Sequence, residues 1–432
     1  MAANVPRMIT LALALAASLA LSDVPAAGSG SLLDQSQALR AETRLLAAEG
    51  DWAGAAEANA GALALQPGHF GLLTNAVALA ANGGDLDGAL DALEALIQAG
   101  FSLDLAAARG LEAALEEHAP SRLAALRERM AQNLQPVGRA ERYLSVPLPD
   151  ALVETFAVDV DAERLYLGTV ADASIYAVRL DDPRNPERLA GPEDGMGSVF
   201  GMALDGRNRL LYAATARTAL TPEGLPGERE TALIAFDLFT GEISARHTMP
   251  GAGRFSDVVV QDGIVYASDS VEGRIYTLTA PRNTLEIYAE DSRFASLQGL
   301  ALAQGALWVV DYATGLWRID PVSREASRVE VLEGSLIGFD GLTTDSYGEL
   351  YGVRNGVQPH GVFHIALEPW GGGARVRPVL TGHRDFDEPT TARVSDGRLF
   401  VLANAQWELF PEDGSQPQRE RRDPVVLHMP VP

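Results

Sequence analysis

The sequence predicts a mainly β protein: a six-bladed β-propeller behind an N-terminal all-α helical module. Three observations predict it. First, beyond residue 150 one pattern recurs six times: an apolar strand, a tight turn, then a strand led by an aromatic. The aromatics are Tyr166, Tyr212, Tyr266, Trp308, Tyr351 and Phe400. Second, five of the turns carry a glycine (Gly206, Gly263, Gly305, Gly348 and Gly397), at spacings of 57, 42, 43 and 49 residues, which suits one four-stranded blade each. The first copy turns instead through Asp161-Ala162-Glu163. Third, between Leu33 and Val137 the apolar period is three to four residues, the period of helices.

Taken in chain order, residues 1–26 read as a secretory signal. Arg7 supplies the positive charge, Met8 to Leu21 the apolar stretch and Val24-Pro25-Ala26 the small residues at a cleavage site. The apolar run is shorter than the ~20 residues a spanning helix needs. The expectation is export, periplasmic or secreted, with no membrane span after cleavage. Residues 31–137 form the helical module. Within it Gly50-Asp51-x-x-Gly54-Ala55 recurs as Gly84-Asp85-x-x-Gly88-Ala89, an offset of 34 residues. That offset resembles the tetratricopeptide repeat, in which small residues such as Gly54 and Gly88 let paired helices approach. The pair Gln66-Pro67 reads as a helix stop, and the last hairpin spans about Leu103 to Asn133. Such a module implies a protein partner or a helical cap on the propeller. Residues 140–432 form the propeller, closed by pairing the strand near Tyr143 with the last blade, to which the run Val425–Met429 adds a strand.

Composition narrows the function. The 432 residues contain no cysteine, which excludes disulfides, thiolate metal sites and cysteine nucleophiles. The net charge of −24 repels nucleic acid and favours cations. The sequence holds no Gly-x-Ser-x-Gly elbow, phosphate loop, dinucleotide fingerprint or His-Glu-x-x-His motif.

In a propeller the residues opening each inner strand and those closing the next strand meet on one rim. Here that rim gathers Glu154, Asp257, Asp269, Asp311, Asp340 and Glu388, with amides from Gln298, Asn355 and Asn404. Converging carboxylates in low dielectric call for compensation, and a hard divalent cation supplies it through oxygen ligands. Asp269 and Asp311 have a second reading, as caps on their turns. A further cluster joins Arg354, Asn355, Glu388, Asn404 and Trp407. Arg354 suits a substrate carboxylate, Trp407 a stacked ring and Glu388 acid–base work. The alternative places Trp407 between blades and pairs Arg354 with Asp340.

The motifs Arg254-Phe255-Ser256-Asp257, Leu297-Gln298-Gly299-Leu300 and Phe339-Asp340-Gly341-Leu342, each followed by its turn and aromatic strand, resemble the gluconolactonase / senescence marker protein (regucalcin-like) superfamily of six-bladed propellers, over about residues 150 to 410. The resemblance implies one divalent metal, most often Ca²⁺, on the channel axis. Glu154 matches the family's metal Glu. Asp340 matches its metal Asp, which is also the proposed general base of family lactonases. Gln298 stands where the metal Asn is expected, and Ser256 where the substrate Asn is expected. The resulting expectation is metal-assisted hydrolysis of a lactone or ester. Its metal ligands are Glu154, Gln298 and Asp340, and its proton-handling residues are Asp340 and Glu388. Ser256, Asp257, Arg354, Asn355, Asn404 and Trp407 line the substrate. The competing expectation is a non-catalytic propeller that binds a small molecule or protein, with the helices recruiting a partner.

Overall fold

The computed structural model describes residues 30–432 except 109, 224–229, 280–283 and 370–371. The signal expected over residues 1–26 lies outside the described residues. The chain divides into two compact units: the residues up to Gln135 together with Val331–Ile337, and Pro136–Glu330 together with Gly338–Pro432. Among the described residues no helix is long and apolar enough to cross a membrane.

Among the described residues the first unit contains six helices: α1 (Leu32–Glu49), α2 (Trp52–Leu65), α3 (Phe70–Asn82), α4 (Leu86–Gln98), α5 (Leu111–His118) and α6 (Pro120–Asn133). Consecutive helices from α1 to α4 pack on one another, and α6 packs on α4 and α5. Val77, Leu90, Leu93, Leu115, Leu123 and Leu126 fill one core between them. The repeated glycine–aspartate motif is a helix junction. Gly50 and Gly84 adopt left-handed backbone at φ +81° and +82°, which ends one helix. Asp51 and Asp85 then cap the next, accepting hydrogen bonds from the Gly54 and Gly88 amides at 2.9 and 2.8 Å. The expected role of Gly54 and Gly88 needs correction. A Cβ on Gly54 would lie 2.5 Å from the Asp51 carboxylate, and one on Gly88 would collide with that of Asp85. These glycines make room for the capping carboxylate. The nearest atoms do not belong to a partner helix.

The second unit is a six-bladed β-propeller. Blades 1 to 4 are four-stranded sheets in sequential strand order within residues 153–190, 198–248, 255–290 and 297–328, and the four strands of blade 5 within residues 339–381 also follow in order. Blade 6 is built from both ends of the unit. Its order is Glu141–Ser145, Val425–Pro430, Arg398–Leu402, Ala392–Ser395 from outside to inside, so the ring is closed as the sequence predicts. Apolar side chains fill the gaps between blades: Phe156, Leu165, Leu167, Phe400 and Leu402 join blade 1 to blade 6.

Two local features bring the inner strands together at the hub. Glycine follows the opening residue in several blades because a neighbouring strand lies against it. A Cβ on Gly201 would sit 2.5 Å from the Asp257 Cα, and one on Gly341 would sit 2.5 Å from the Thr390 carbonyl oxygen. The pairing of first and second strands also slips by one residue near the opening of blades 1 to 5. The slip falls at Glu154, Phe200, Ser256, Gln298-Gly299 and Asp340-Gly341. A bulge of this kind re-aims a side chain out of the ladder, and here it recurs at the same level around the ring.

Candidate active site

Each bulge frees one side chain at the end of the hub, and the groups around these side chains decide their chemistry. Glu154 opens blade 1 and is buried. Its carbonyl accepts hydrogen bonds from the Thr390 and Thr391 hydroxyls of blade 6 at 2.7 and 3.0 Å, which fixes its backbone across the blade boundary. Its carboxylate Oε2 accepts from the Trp407 indole Nε1 at 2.7 Å. Burial, then the charge of Asp340, holds the Glu154 carboxyl well above the ordinary carboxylate range.

Asp340 opens blade 5. Its Oδ2 accepts from Asn355 Nδ2 at 2.7 Å, and Asn355 Oδ1 in turn accepts from the Tyr312 hydroxyl at 3.1 Å. Gly338 ties the three together: its amide donates to the Tyr312 carbonyl, and its carbonyl accepts from the Asn355 amide. Burial pushes the Asp340 carboxyl to about 7, with the charges of Asp257 and Glu388 adding to the rise and Asn355 opposing it. Burial also raises Tyr312, with the charges of Asp340, Glu388 and Glu154 adding to it, so its hydroxyl stays a donor.

Glu388 precedes the inner strand of blade 6 and has left-handed backbone, φ +65°. Its Oε2 accepts from the Trp407 main-chain amide at 2.7 Å. Burial pushes its carboxyl to about 7 as well. Trp407 therefore bridges Glu154 and Glu388, one through its ring and one through its backbone.

Three residues join this group that sequence reasoning left without a role: Arg254, Phe200 and Tyr312. Arg254 precedes the inner strand of blade 3, where Asp269 accepts from its main-chain amide at 3.0 Å. Its Nε donates to the Ser270 hydroxyl, and its guanidinium lies 5.6 Å from the Phe200 ring centre. Among the described residues its two terminal nitrogens have no hydrogen-bond partner. Burial lowers its pKa, against the attraction of Asp269, Glu154 and Asp340. Phe200 stacks on Trp407 with ring centres 6.4 Å apart and planes 15° from parallel. The signals were a single aromatic at a ring position otherwise polar, and a cation directly before a strand.

The remaining predicted residues divide. Gln298 is half-buried at the opening of blade 4, with its Nε2 on the Ser296 hydroxyl at 3.1 Å. Ser256 lies buried beside Arg254, its hydroxyl 3.4 Å from the Arg254 carbonyl. Asp257 turns inward. It accepts from the Leu300 amide at 3.1 Å and from Arg393 at 3.0 Å, an ion pair inside the channel. Arg393 in turn lines a cavity of about 710 Å³ along the far halves of the inner strands. Arg354 is fully buried, with its guanidinium 4.0 Å from the Phe363 ring centre and donating to the Pro359 carbonyl at 3.2 Å. Burial lowers its pKa to about 9. Asn404 spends both ends on main chain, donating to the Asp423 carbonyl and accepting from the Val425 amide. Asp269 and Asp311 are caps. Asp311 accepts from the amides of Ala295, Ser296, Ala313 and Thr314, and Asp269 from those of Gly253, Arg254, Val271 and Glu272.

No family model matches the sequence, and no curated protein matches it. Solved structures that resemble the fold include one described as a gluconolactonase, 17% identical over 69% of this chain and 93% of the other, with a TM-score of 0.47. Virginiamycin B lyase from Staphylococcus aureus is 12% identical over 61% of this chain and 82% of the other, at 0.45. A PQQ-bound aldose sugar dehydrogenase from Streptomyces coelicolor is 13% identical over 68% and 99%, at 0.45. Likeness at this level carries nothing about activity. The six-bladed arrangement stands on the sheets described above.

Proposed function

We propose that this exported propeller hydrolyses a small lactone or ester that carries an anionic group, at the channel mouth formed by Glu154, Arg254, Asp340 and Glu388. The observation that carries this reading is a pair of half-buried carboxyls, Asp340 and Glu388, each pushed to about 7, with the charge of Glu388 adding to the rise of Asp340. Groups with that proton affinity give and take protons at neutral pH.

Asp340 Oδ1 carries no hydrogen bond among the described residues, so it is the oxygen that takes a proton from water. The water oxygen then bonds to the carbonyl carbon. The ester C–O bond breaks, and its oxygen takes the proton held by Glu388. Asn355 and Tyr312 hold the Asp340 carboxylate in one orientation throughout. Arg254, with its terminal nitrogens unpaired, holds the substrate's anionic group.

A divalent cation such as Ca²⁺ fits the donor set. Glu154 Oε1 and Gln298 Oε1 are hard oxygens with no hydrogen bond among the described residues, Asp340 would join them through Oδ2 with Oδ1 left for the proton, and water would complete the shell. Among the described residues no three His, Asp or Glu side chains converge as a cage, so the amide of Gln298 is needed. A bound cation would polarise the substrate carbonyl.

The test is proton release on a pH-stat, at pH 7.5, from a panel of lactones that carry a carboxylate. Wild type should turn over at least one of them. Asp340→Asn should lower kcat by about 10²–10⁴-fold with the fold intact. Equal rates in the two proteins, or no turnover by wild type, would rule the reading out.

A further inference from the structure

Between the second and third strands of blade 6 the chain makes a long excursion, residues 403–424, whose only regular piece is the short turn Trp407–Leu409. It is built to hold Trp407 still. Gln406 clamps its two limbs, donating to the Arg422 carbonyl at 2.9 Å and accepting from the Arg422 amide at 3.0 Å. Arg419 forms a two-pronged pair with Asp387 at 2.8 Å for both bonds, and Arg422 reaches the same carboxylate at 2.9 Å. Asp387 is the residue before Glu388, so this latch closes on the edge of the site. Arg421 ties the excursion to Asp150, before blade 1, at 2.9 Å. Leu409 and Phe410 plug an apolar cluster with Leu152 and Val170, against which Phe200 and Trp407 pack.

Gln406 takes left-handed backbone, φ +62°, directly before Trp407. That conformation is unfavourable for a non-glycine residue and turns the chain so that the indole faces Glu154. The ring nitrogen is bound to Glu154 and the main-chain amide to Glu388, so the indole cannot swing. The result is a fixed aromatic wall in which Phe200 stacks near-parallel on Trp407 and the Arg254 guanidinium lies over the Phe200 ring. Both rings are only half-buried.

We infer that Trp407 and Phe200 are specificity-determining residues and that the substrate carries a flat or cyclic apolar face next to its anionic group. The inference rests on the placement of Arg254 as anion holder in the proposed function, and it adds the ring. Fixed flat walls favour planar faces because stacking then costs no side-chain ordering.

The experiment is calorimetric titration of the full chain with two probes, benzoate and acetate, which share a carboxylate and differ in the ring. Wild type should bind benzoate about five- to tenfold more tightly than acetate. Trp407→Ala should bring the two to near equality, and Trp407→Phe should restore most of the preference. Phe200→Leu leaves the Glu154 bond in place and should lose part of it, so the wall is still tested if Trp407→Ala fails to fold. Equal wild-type affinities, no benzoate binding, or a preference that survives in Trp407→Ala and Phe200→Leu would overturn the inference. Turnover is not part of this readout. A ring preference without lactone hydrolysis supports the wall and sinks the hydrolase, and hydrolysis without ring preference does the reverse.

Discussion

Two pairs of carboxylates, wholly or partly withdrawn from water, stand near the same end of this propeller, and they differ in how completely they are bonded. Asp269 and Asp311 each accept four main-chain amide hydrogen bonds. Glu154 and Asp340 each accept one side-chain hydrogen bond and keep an oxygen uncommitted. Glu154 is as buried as Asp269 and Asp311, and Asp340 is half-buried, so burial does not identify a working group. A saturated carboxylate is part of the frame, since each of its bonds satisfies an amide that would otherwise be orphaned. An unsaturated one is a cost to the fold that only a proton, a cation or a substrate relieves.

Asp311→Ala leaves the amides of Ala295, Ser296, Ala313 and Thr314 without their acceptor. At about 1–3 kcal/mol for each unsatisfied buried group, the loss should reach ~4 kcal/mol or more in denaturant unfolding. A loss under ~1 kcal/mol would show that the caps carry no weight. On the functional side, Arg254→Met should raise KM for the carboxylate-bearing lactone by about 10–100-fold and leave that for a neutral lactone near wild type. An equal rise for both would place Arg254 in the frame.

The pH dependence sharpens the same contrast. Asp340 and Glu388 hold protons to about 7 in the folded chain, above their ordinary values. The folded state therefore binds more protons than the unfolded one between about pH 4 and 7. Their contribution to stability is full below that window and is lost as pH rises through it. Melting temperature should fall from pH 5 to pH 8, and Asp340→Asn should flatten the slope. Ca²⁺, which competes with those protons, should raise the wild-type melting temperature more at pH 8 than at pH 5.5, with the rise lost in Glu154→Gln. No shift at either pH would remove the cation from the account. The smallest effect applies the same bonding logic to exposed caps. Asp51→Ala and Asp85→Ala each remove one acceptor at a helix start and should cost ~1 kcal/mol apiece by thermal unfolding.

The fold was legible because the aromatic-led strands and turn glycines repeat at blade length, and the closing strand near Tyr143 was legible from its alternation. The hub was legible in part. Glu154, Asp340 and Glu388 at strand openings, and Asn355 just past a strand end, could be placed at the hub because polar residues there conflict with a packed interior. The bonding of each was not, because it depends on which amides the folded loops present. Arg354 and Asn404 match the composition of a site, yet the fold spends their visible bonds on main chain and a ring. Arg254 and Phe200 stood in view without a role, since only the ring closure brings blades 2, 3 and 6 to one wall. The repeated Gly54 and Gly88 were misread because sequence shows that a residue is small, not which atom needs the space.

The most direct test uses one chemical change at two positions. Asp340→Asn and Asp311→Asn each exchange a carboxylate oxygen for an amide, and their melting temperatures are compared with wild type at pH 8 without divalent cations. The two changes should have opposite signs. Asp340→Asn should be more stable, because it removes a half-buried charge whose one hydrogen bond does not offset its loss of water. Asp311→Asn should be less stable, because its amide nitrogen cannot accept the bonds it replaces. A loss of stability in both would make Asp340 another structural cap and contradict the assignment of the channel mouth as the working site.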